Sequence, residues 1–248
     1  MDELKGKVAI VTGASKGIGA AIARVFAAAG AAAAVNYASN KTDADRVVGE
    51  IVKAGGKAIA VQANVAKRAD VQRLFAETAE KLGRPSILVN NAGVYGFAPL
   101  EAVTEEDFHR QFNTNVLGAI LATQEAVKAF DGSGGSVINF STIASTNPSP
   151  NTLVYSASKS AIDTITRELA LELAGKNIRV NAIAPGMTET EGFAAAGLSA
   201  ESAKALGFSL PMGRVGRPED IARVALFLAS DQSAWVTGER IAVSGGQR

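Results

Sequence analysis

The sequence predicts an α/β protein: one domain with a doubly wound, seven-stranded parallel sheet and helices on both faces. Short apolar runs alternate with longer helical segments along all 248 residues, and no linker or repeat interrupts them. Continuous apolar runs are typical of strands that are covered on both faces. Strand–helix alternation favours a parallel sheet. We therefore expect the whole chain, residues 1–248, to form a single domain.

Each predicted strand is a short apolar run, and each predicted helix follows one. The strands are Lys7–Val11, Ala31–Asn36, Ala58–Gln62, Ile87–Asn90, Ser136–Phe140, Arg179–Ile183 and Arg240–Val243. The helices are Ile18–Ala29, Asp43–Ala54, Ala69–Lys81, Glu105–Phe130, Leu153–Leu173 and Pro218–Ala229. Gly30 and Gly55 mark helix ends, and Thr104 and Pro218 mark helix starts. The segment 187–212 follows neither pattern and is expected to be a substrate lid.

The composition excludes several classes of function. The net charge is +1, so no basic excess points to nucleic acid or to an anionic membrane. The chain has no cysteine and a single histidine, His109, so we expect no metal site. The charged N-terminus is unlike a secretory signal, and no apolar run is long enough to span a membrane. A cytoplasmic location is expected.

A glycine-rich turn follows the first strand and opens a helix. In Thr12–Gly19, Gly13 allows a sharp reversal, Gly17 permits close approach of a pyrophosphate, and Gly19 permits close helix–strand packing. The N–H groups at the helix start favour phosphate. The glycine spacing differs from the usual dinucleotide fingerprint, but its position is typical of a Rossmann fold. The predicted cofactor-binding residues of this turn are Gly13, Ser15, Lys16, Gly17, Ile18 and Gly19.

The end of the second strand indicates which dinucleotide binds. An NAD site usually has a carboxylate about 20 residues after the glycine turn, and no acid precedes Asp43 here. Polar groups that could serve a 2′-phosphate are present instead, and NADP(H) is the predicted cofactor. They are Asn36 and Ser39, with the charges of Lys16 and Lys41, and Tyr37 is also a predicted cofactor-binding residue. The alternative is that both lysines are ordinary solvated charges.

Tyr155 and Lys159 lie four residues apart at the start of a predicted helix, which places them on one face. A nearby ammonium is expected to lower the pKa of the phenol and make it an acid–base catalyst. A second copy of the spacing, Tyr37 to Lys41, lies away from the expected reaction centre. Ser141 and Thr142 end the fifth strand, where a hydroxyl could bind the substrate oxygen.

With these motifs the chain resembles the short-chain dehydrogenases/reductases, and among them it is similar to 3-oxoacyl-carrier-protein reductases. The resemblance covers almost the whole length, including TGASKGIG, NNAG, YSASK and the C-terminal segment. It implies further cofactor contacts at both ends of the dinucleotide. These are Asn64, Val65, Asn91, Ala92, Gly93, Pro185, Gly186, Thr188 and Thr190, with Tyr155 and Lys159.

The resemblance also implies catalytic roles. Tyr155 would be the general acid/base, Lys159 would lower its pKa and bind the ribose, and Asn115 would hold a proton-relay water. Thr142 stands where the family has a serine that orients the substrate. Thr142 is the expected substitute, although Ser141 could take the role or activity could be reduced. The milder departures are Asn64 and Ser244, which stand in place of aspartates.

The leading hypothesis is NADPH-dependent reduction of a small ketone, aldehyde or 3-oxoacyl substrate. The alternatives are an NAD-dependent alcohol, polyol or sugar dehydrogenase, and a non-catalytic dinucleotide-binding regulator. Residues near Val94–Phe97 are mostly small or apolar, so they do not indicate a charged group on the substrate. The family is usually tetrameric, so a homotetramer is expected, with residues 105–130 and 153–173 in one interface.

Overall fold

A computed structural model describes residues 3–191 and 209–247 and confirms the predicted α/β class. Its sheet has seven parallel strands in the order β3-β2-β1-β4-β5-β6-β7. The strands are β1 Val8–Val11, β2 Ala32–Tyr37, β3 Lys57–Gln62, β4 Ile87–Asn90, β5 Gly135–Phe140, β6 Ile178–Pro185 and β7 Arg240–Val243. All seven predicted strands are present, each end within two residues of the predicted one.

Helices cover the sheet, and one of them departs from its prediction. The helices of the described residues are α1 Gly17–Ala28, α2 Lys41–Lys53, α3 Arg68–Leu82, α4 Glu105–Phe112, α5 Gly118–Phe130, α6 Leu153–Leu173 and α7 Pro218–Ala229. The single predicted helix 105–130 is instead α4 and α5, joined by a π-helical turn, Asn113–Leu117. Such single π-helical turns inside α-helices are frequent at functional sites.

The strands are apolar throughout because each contributes to two cores. In β1, Ala9 and Val11 pack in one core with α1, α2 and α7, whereas Ile10 packs in the other with α3, α5 and α6. Successive side chains of a strand point to opposite faces. Both faces of the sheet are therefore buried, as the continuous apolar runs predict.

A chain of buried amides joins the middle of the sheet to α6. The Nδ2 group of Asn90 donates to Asn139 Oδ1 at 2.9 Å, and Asn139 Nδ2 donates to Thr166 Oγ1 at 2.9 Å. Asn90 also donates to Thr123 Oγ1 of α5, at 3.2 Å. Because buried polar groups are costly unless paired, this chain fixes the positions of β4, β5 and α6 relative to one another.

Two further observations concern segments rather than the core. No described helix combines the length and the apolar content that crossing a bilayer requires. Of the predicted lid, 187–212, residues 192–208 lie outside the described residues. The part before them is anchored by a parallel bridge between Thr188 and Gly216.

Candidate active site

The site lies at the carboxyl ends of the strands, where the strand order reverses between β1 and β4. In open α/β sheets such a reversal leaves a crevice that binds ligands. Gly13 follows β1, Asn91 follows β4, and Thr142 follows β5. The predicted cofactor and catalytic residues therefore meet at one edge of the sheet.

The glycines of the first turn are required by close packing. Gly13 has φ +62°, and a Cβ there would lie 2.8 Å from Ala92 Cα. A Cβ on Gly19 would lie 2.5 Å from Asn91 Nδ2. The turn is thus pressed against the segment after β4, and a side chain fits at neither Gly13 nor Gly19.

Asn91 and Thr12 hold this turn in place. Asn91 Nδ2 donates to the carbonyl oxygens of Thr12 and Gly13 at 2.9 and 3.0 Å. The Thr12 hydroxyl oxygen accepts from the backbone N–H groups of Asn91 and Ala92, both at 3.0 Å. The NNAG motif therefore supports the cofactor turn through its side chain and its backbone.

Asn36 differs from its predicted role. Its side chain is 1% exposed, and its Oδ1 accepts from the N–H of Gly13 at 3.1 Å. Its amide donates to the carbonyl oxygens of Val61 and Ala63 at 3.2 and 3.1 Å. The prediction that Asn36 donates to a 2′-phosphate is wrong, because both amide hydrogens are already used inside the protein. Tyr37 is likewise part of the core.

The other residues near the second strand are more accessible. Ser39 and Lys16 are exposed. Lys41 pairs with Asp45 at 2.5 Å, so its charge is already balanced. Asn64 caps the following turn, with Oδ1 accepting from the N–H of Ala66 at 3.0 Å.

The remaining predicted cofactor residues lie around the same crevice. Val65 is buried, and a Cβ on Gly118 of α5 would lie 2.8 Å from its Cγ2. Ser15 and Ile18 are half-buried.

Tyr155 and Lys159 lie together on α6, with Lys159 Nζ 6.0 Å from the centre of the Tyr155 ring. The Thr142 side chain forms a hydrogen bond with the Tyr155 side chain. Ser141 is turned away: its hydroxyl donates to Ser145 Oγ at 3.3 Å and to the carbonyl of Lys159 at 3.5 Å. Of the two candidate hydroxyls, the structure thus brings Thr142 to the phenol.

Burial is the main influence on the pKa values of this pair. Burial raises the pKa of Tyr155 above its usual value, and the hydrogen bond with Thr142 opposes this rise. Burial lowers the pKa of Lys159 to about 8, although the charge of Asp163 acts to raise it. Lys159 Nζ donates to the carbonyl of Phe140 at 2.7 Å. Burial of the phenol is thus the largest influence on the pKa of Tyr155 in the protein without a cofactor, and the role of Lys159 in lowering that pKa stays a prediction.

Asn115 lies in the π-helical turn and joins three elements. Its Oδ1 accepts from the N–H of Val94, and its Nδ2 donates to the Val94 carbonyl, both at 2.8 Å. The same Nδ2 donates to Ser158 Oγ of α6 at 3.0 Å. A Cβ on Gly93 would lie 3.3 Å from Asn115 Oδ1 and 3.4 Å from Lys159 Nζ. The predicted proton-relay role of Asn115 stays a prediction.

The segment after β6 approaches the glycine turn from the opposite side. Pro185 ends β6, the N–H of Gly186 donates to the Val243 carbonyl at 3.1 Å, and Thr188 Oγ1 donates to the Gly186 carbonyl at 3.0 Å. A Cβ on Gly17 would lie 3.4 Å from Thr190 Cγ2. The N–H of Gly17 donates to Glu191 Oε2 at 2.9 Å. A carboxylate of the chain thus lies at the start of α1.

Three residues that support the site were not predicted from the sequence. Arg240 Nη2 donates to the carbonyl of Thr142 at 2.8 Å, and its Nε lies 3.1 Å from Asp163 Oδ2. Gln247 Oε1 accepts from the N–H of Met187 at 2.7 Å. No local pattern indicates these contacts, because each partner lies far away along the chain.

Comparison with known proteins agrees with this geometry. The family model described as enoyl-(acyl carrier protein) reductase matches residues 13–248. An uncharacterised oxidoreductase of Methylorubrum extorquens is 52% identical, and the match covers 100% of both chains. A hydroxynaphthalene reductase-like protein of Metarhizium anisopliae is 40% identical, over 98% of this chain and 95% of its own. A solved mutant of a Serratia marcescens short-chain dehydrogenase/reductase has TM-score 0.91 and 36% identity, over 98% of both chains.

The chain therefore belongs to the short-chain dehydrogenase/reductase family and is an oxidoreductase acting on CH–OH or C=O groups. The family uses a nicotinamide dinucleotide. The residues fit such a group: the glycine turn opens α1, and Tyr155, Thr142 and Lys159 lie at the same strand ends. Phosphates at a helix start are stabilised by its N–H groups and dipole.

Proposed function

We propose that the protein reduces a small ketone, aldehyde or 3-oxoacyl compound to the alcohol with NADPH. The observation that carries the proposal is the Tyr155 phenol, which is hydrogen-bonded to Thr142 beside Lys159 at the carboxyl edge of the sheet. Because burial raises its pKa, the phenol holds its proton at neutral pH. A protonated acid beside a carbonyl oxygen favours reduction, because the new hydroxyl group needs a proton.

The residues of the chain divide the chemistry among them. Thr142 donates to the carbonyl oxygen and orients it, and Tyr155 transfers its phenolic proton to that oxygen. Lys159 stabilises the phenolate that remains, because an ammonium favours the charged form of its neighbour. When bound, the nicotinamide supplies a hydride with its electron pair to the carbonyl carbon, so that the ketone becomes the alcohol and NADPH becomes NADP⁺. The reverse sequence oxidises an alcohol.

Replacement of the phenol tests this role. Tyr155→Phe should lower kcat by about a hundredfold or more, since general acid catalysis contributes about 10²–10⁴. The affinity for NADPH should change little. Tyr37→Phe is the matched control, because Tyr37 has the same spacing to a lysine but packs in the core. Near-normal turnover of Tyr155→Phe would remove Tyr155 from the mechanism, and loss of activity in both variants would indicate a structural effect.

We propose NADP(H) rather than NAD(H) because no carboxylate ends β2 and Lys16 extends its charge into solvent beside the glycine turn. Asn36 contributes indirectly, by holding Gly13. In a fluorescence titration NADPH should bind at least about tenfold more tightly than NADH, a difference of about 1.4 kcal/mol. Lys16→Ala should remove most of this preference. Lys41→Ala should leave it unchanged, because Lys41 is paired with Asp45. Equal affinity in the wild type would overturn the proposal in favour of NAD(H).

We also propose a homotetramer. Large apolar side chains are exposed on the two segments predicted to form an interface and near the C-terminus. They are Phe108, Leu117, Leu153, Leu171 and Trp235. Exposed apolar residues of this size on a folded domain often mark association surfaces. A small-molecule carbonyl compound is the proposed partner in catalysis, and the cytoplasmic location stays a prediction.

A further inference from the structure

Two aromatic rings follow β4 and stand beside the catalytic phenol. The Tyr95 and Phe97 rings stack at 5.4 Å between centroids, with an interplanar angle of 29°. Both meet the Tyr155 ring edge-on, at 6.3 and 6.4 Å and at angles of 77° and 78°. We call Tyr95 and Phe97 the aromatic wall. Three rings therefore converge where the substrate carbonyl is expected.

The aromatic wall is exposed although its rings are large. Tyr95 is 46% exposed and Phe97 is 58% exposed. Aromatic rings usually contribute their area to a core, so accessible rings beside a catalytic group are available to pack on a ligand. The apolar surface of the wall is continuous with the Tyr155 ring, so its occupant would also contact the catalytic group.

The backbone that carries the wall is fixed from several directions. Asn115 binds the N–H and the carbonyl of Val94, both at 2.8 Å. Arg110 Nη2 donates to the Tyr95 carbonyl at 3.1 Å, and the N–H of Ala98 donates to the Asn151 carbonyl at 3.0 Å. A Cβ on Gly96 would lie 2.8 Å from Asp107 Oδ2. The wall is therefore preorganised, which lowers the entropy cost of binding.

The wall offers little to a charged substrate. Arg110 and Asp107 are the charged residues that contact its backbone within the described ranges, and they pair with each other at 2.6 Å. Arg110 also uses a donor on the Tyr95 carbonyl. The Thr142 and Tyr155 hydroxyls suit one carbonyl oxygen at this end.

We propose that the substrate is an aromatic ketone, whose flat ring packs on the aromatic wall while its carbonyl oxygen meets Thr142 and Tyr155. The proposal rests on the proposed carbonyl reductase function and specifies its substrate class. Aromatic pairs contribute about 0.5–1.5 kcal/mol beyond the area they bury, so two rings should favour an aromatic over a saturated substrate by about tenfold. A straight-chain 3-oxoacyl compound gains no such contribution.

The test compares 2-tetralone with 2-decalone, two bicyclic ketones of similar size, of which only the first is aromatic. Wild-type kcat/KM with NADPH should favour 2-tetralone by about tenfold. Phe97→Leu and Tyr95→Leu should each reduce the preference to about threefold or less, mainly by raising KM. Tyr95→Phe keeps the ring and should keep the preference. Circular dichroism and NADPH affinity show whether each variant is folded.

The possible outcomes distinguish failure of the aromatic substrate class from failure of the carbonyl reductase function. Equal kcat/KM for the two ketones, or a preference that survives Phe97→Leu and Tyr95→Leu in folded protein, would overturn the aromatic substrate. Reduction of an acetoacetyl thioester alone would overturn it too, while leaving the carbonyl reductase function in place. If no carbonyl compound is reduced, the proposed function itself fails. In that case, the affinity for 2-naphthol, measured by fluorescence titration, tests the aromatic wall without a reaction. If Phe97→Leu binds 2-naphthol as tightly as the wild type, the wall is not an aromatic binding site.

Discussion

At the scale of single residues, the hydroxyl at position 142 determines how the carbonyl is held. Thr142 reaches the phenol of Tyr155, whereas the Ser141 hydroxyl bonds to Ser145 and to the backbone of Lys159. The methyl group of threonine restricts χ1. The threonine found here can therefore hold its hydroxyl toward the phenol as a serine would, with less rotational freedom.

Replacing each hydroxyl in turn tests this assignment. Thr142→Ala should lower kcat by about a hundredfold, in the range measured when one hydrogen-bond donor to a reacting oxygen is lost. Ser141→Ala should change kcat by less than about threefold, because Ser141 does not contact the phenol. Thr142→Ser should keep most of the activity. If Ser141→Ala is the more damaging of the two alanine variants, the roles are reversed.

The buried amine of Lys159 makes stability depend on pH. Its side chain is 5% exposed, and its pKa is lowered from 10.5 to about 8. Below about pH 8 both the folded and the unfolded chain hold the proton. Between about 8 and 10.5 only the unfolded chain still holds it, so the free energy of unfolding rises with pH. The penalty of burying the ammonium thus begins to fall near the folded-state pKa of about 8 and is gone above the unfolded value of 10.5.

Urea unfolding of the protein without cofactor at about pH 7.5 and about pH 9.5 measures this effect. Between these two pH values Lys159 should raise the free energy of unfolding by about 2 kcal/mol. Each proton that the unfolded chain holds and the folded chain does not contributes about 1.36 kcal/mol per pH unit. Lys159→Met should lack this increment and serves as the reference. Tyr155, whose pKa is raised, stays protonated in this window. If the free energy of unfolding changes with pH in the same way in the wild type and in Lys159→Met, the pKa of Lys159 is not lowered.

At the scale of elements, β7 and α6 hold the turn that carries Thr142. Arg240 of β7 binds the Thr142 carbonyl and pairs with Asp163, which lies one turn after Lys159 on α6. Asp163 Oδ2 also accepts from the Ser145 hydroxyl at 2.5 Å. One ion pair thus connects the last strand, the catalytic helix and the turn after β5.

Removing the guanidinium should weaken this connection. Arg240→Met should lower the free energy of unfolding by about 2 kcal/mol, because it leaves the nearly buried Asp163 carboxylate without its ion-pair partner. It should also lower kcat, because the Thr142 carbonyl loses its donor. Adding Asp163→Asn to the same chain should restore part of the stability but not the kcat. Full recovery of both would mean that Arg240 acts only on Asp163.

At the scale of the whole molecule, the exposed apolar side chains allow the proposed homotetramer to be tested. Trp235, which follows α7, is 100% exposed, and Leu171 is 79% exposed. Light scattering should give the mass of four chains for the wild type. Trp235→Ser should shift the mass to two chains or one, whereas Val52→Ser on α2, also exposed, should not. A wild-type mass of one chain would exclude the tetramer.

The sequence predicted the parts of the molecule that follow from local patterns. The strands were predictable because burial on both faces leaves continuous apolar runs, and the Tyr155–Lys159 pair because four residues make about one helical turn. Asn36 was misassigned because its sheet neighbours decide where its side chain points. Arg240 was missed because its partner Thr142 lies 98 residues away. The pKa of Tyr155 depends on burial, which spacing alone does not give.

Glu191 places an anion of the chain itself at the start of α1. Its carboxylate accepts the N–H of Gly17, a group that a bound phosphate would also need. If the cofactor phosphate binds at this turn, it would displace the Glu191 carboxylate, and its affinity would be the difference between the two interactions. Glu191→Ala should tighten NADPH binding in a titration, while Glu189→Ala should not. Glu191 would thus compete with the cofactor for the Gly17 N–H, so that the oxidised cofactor dissociates faster and binds less tightly.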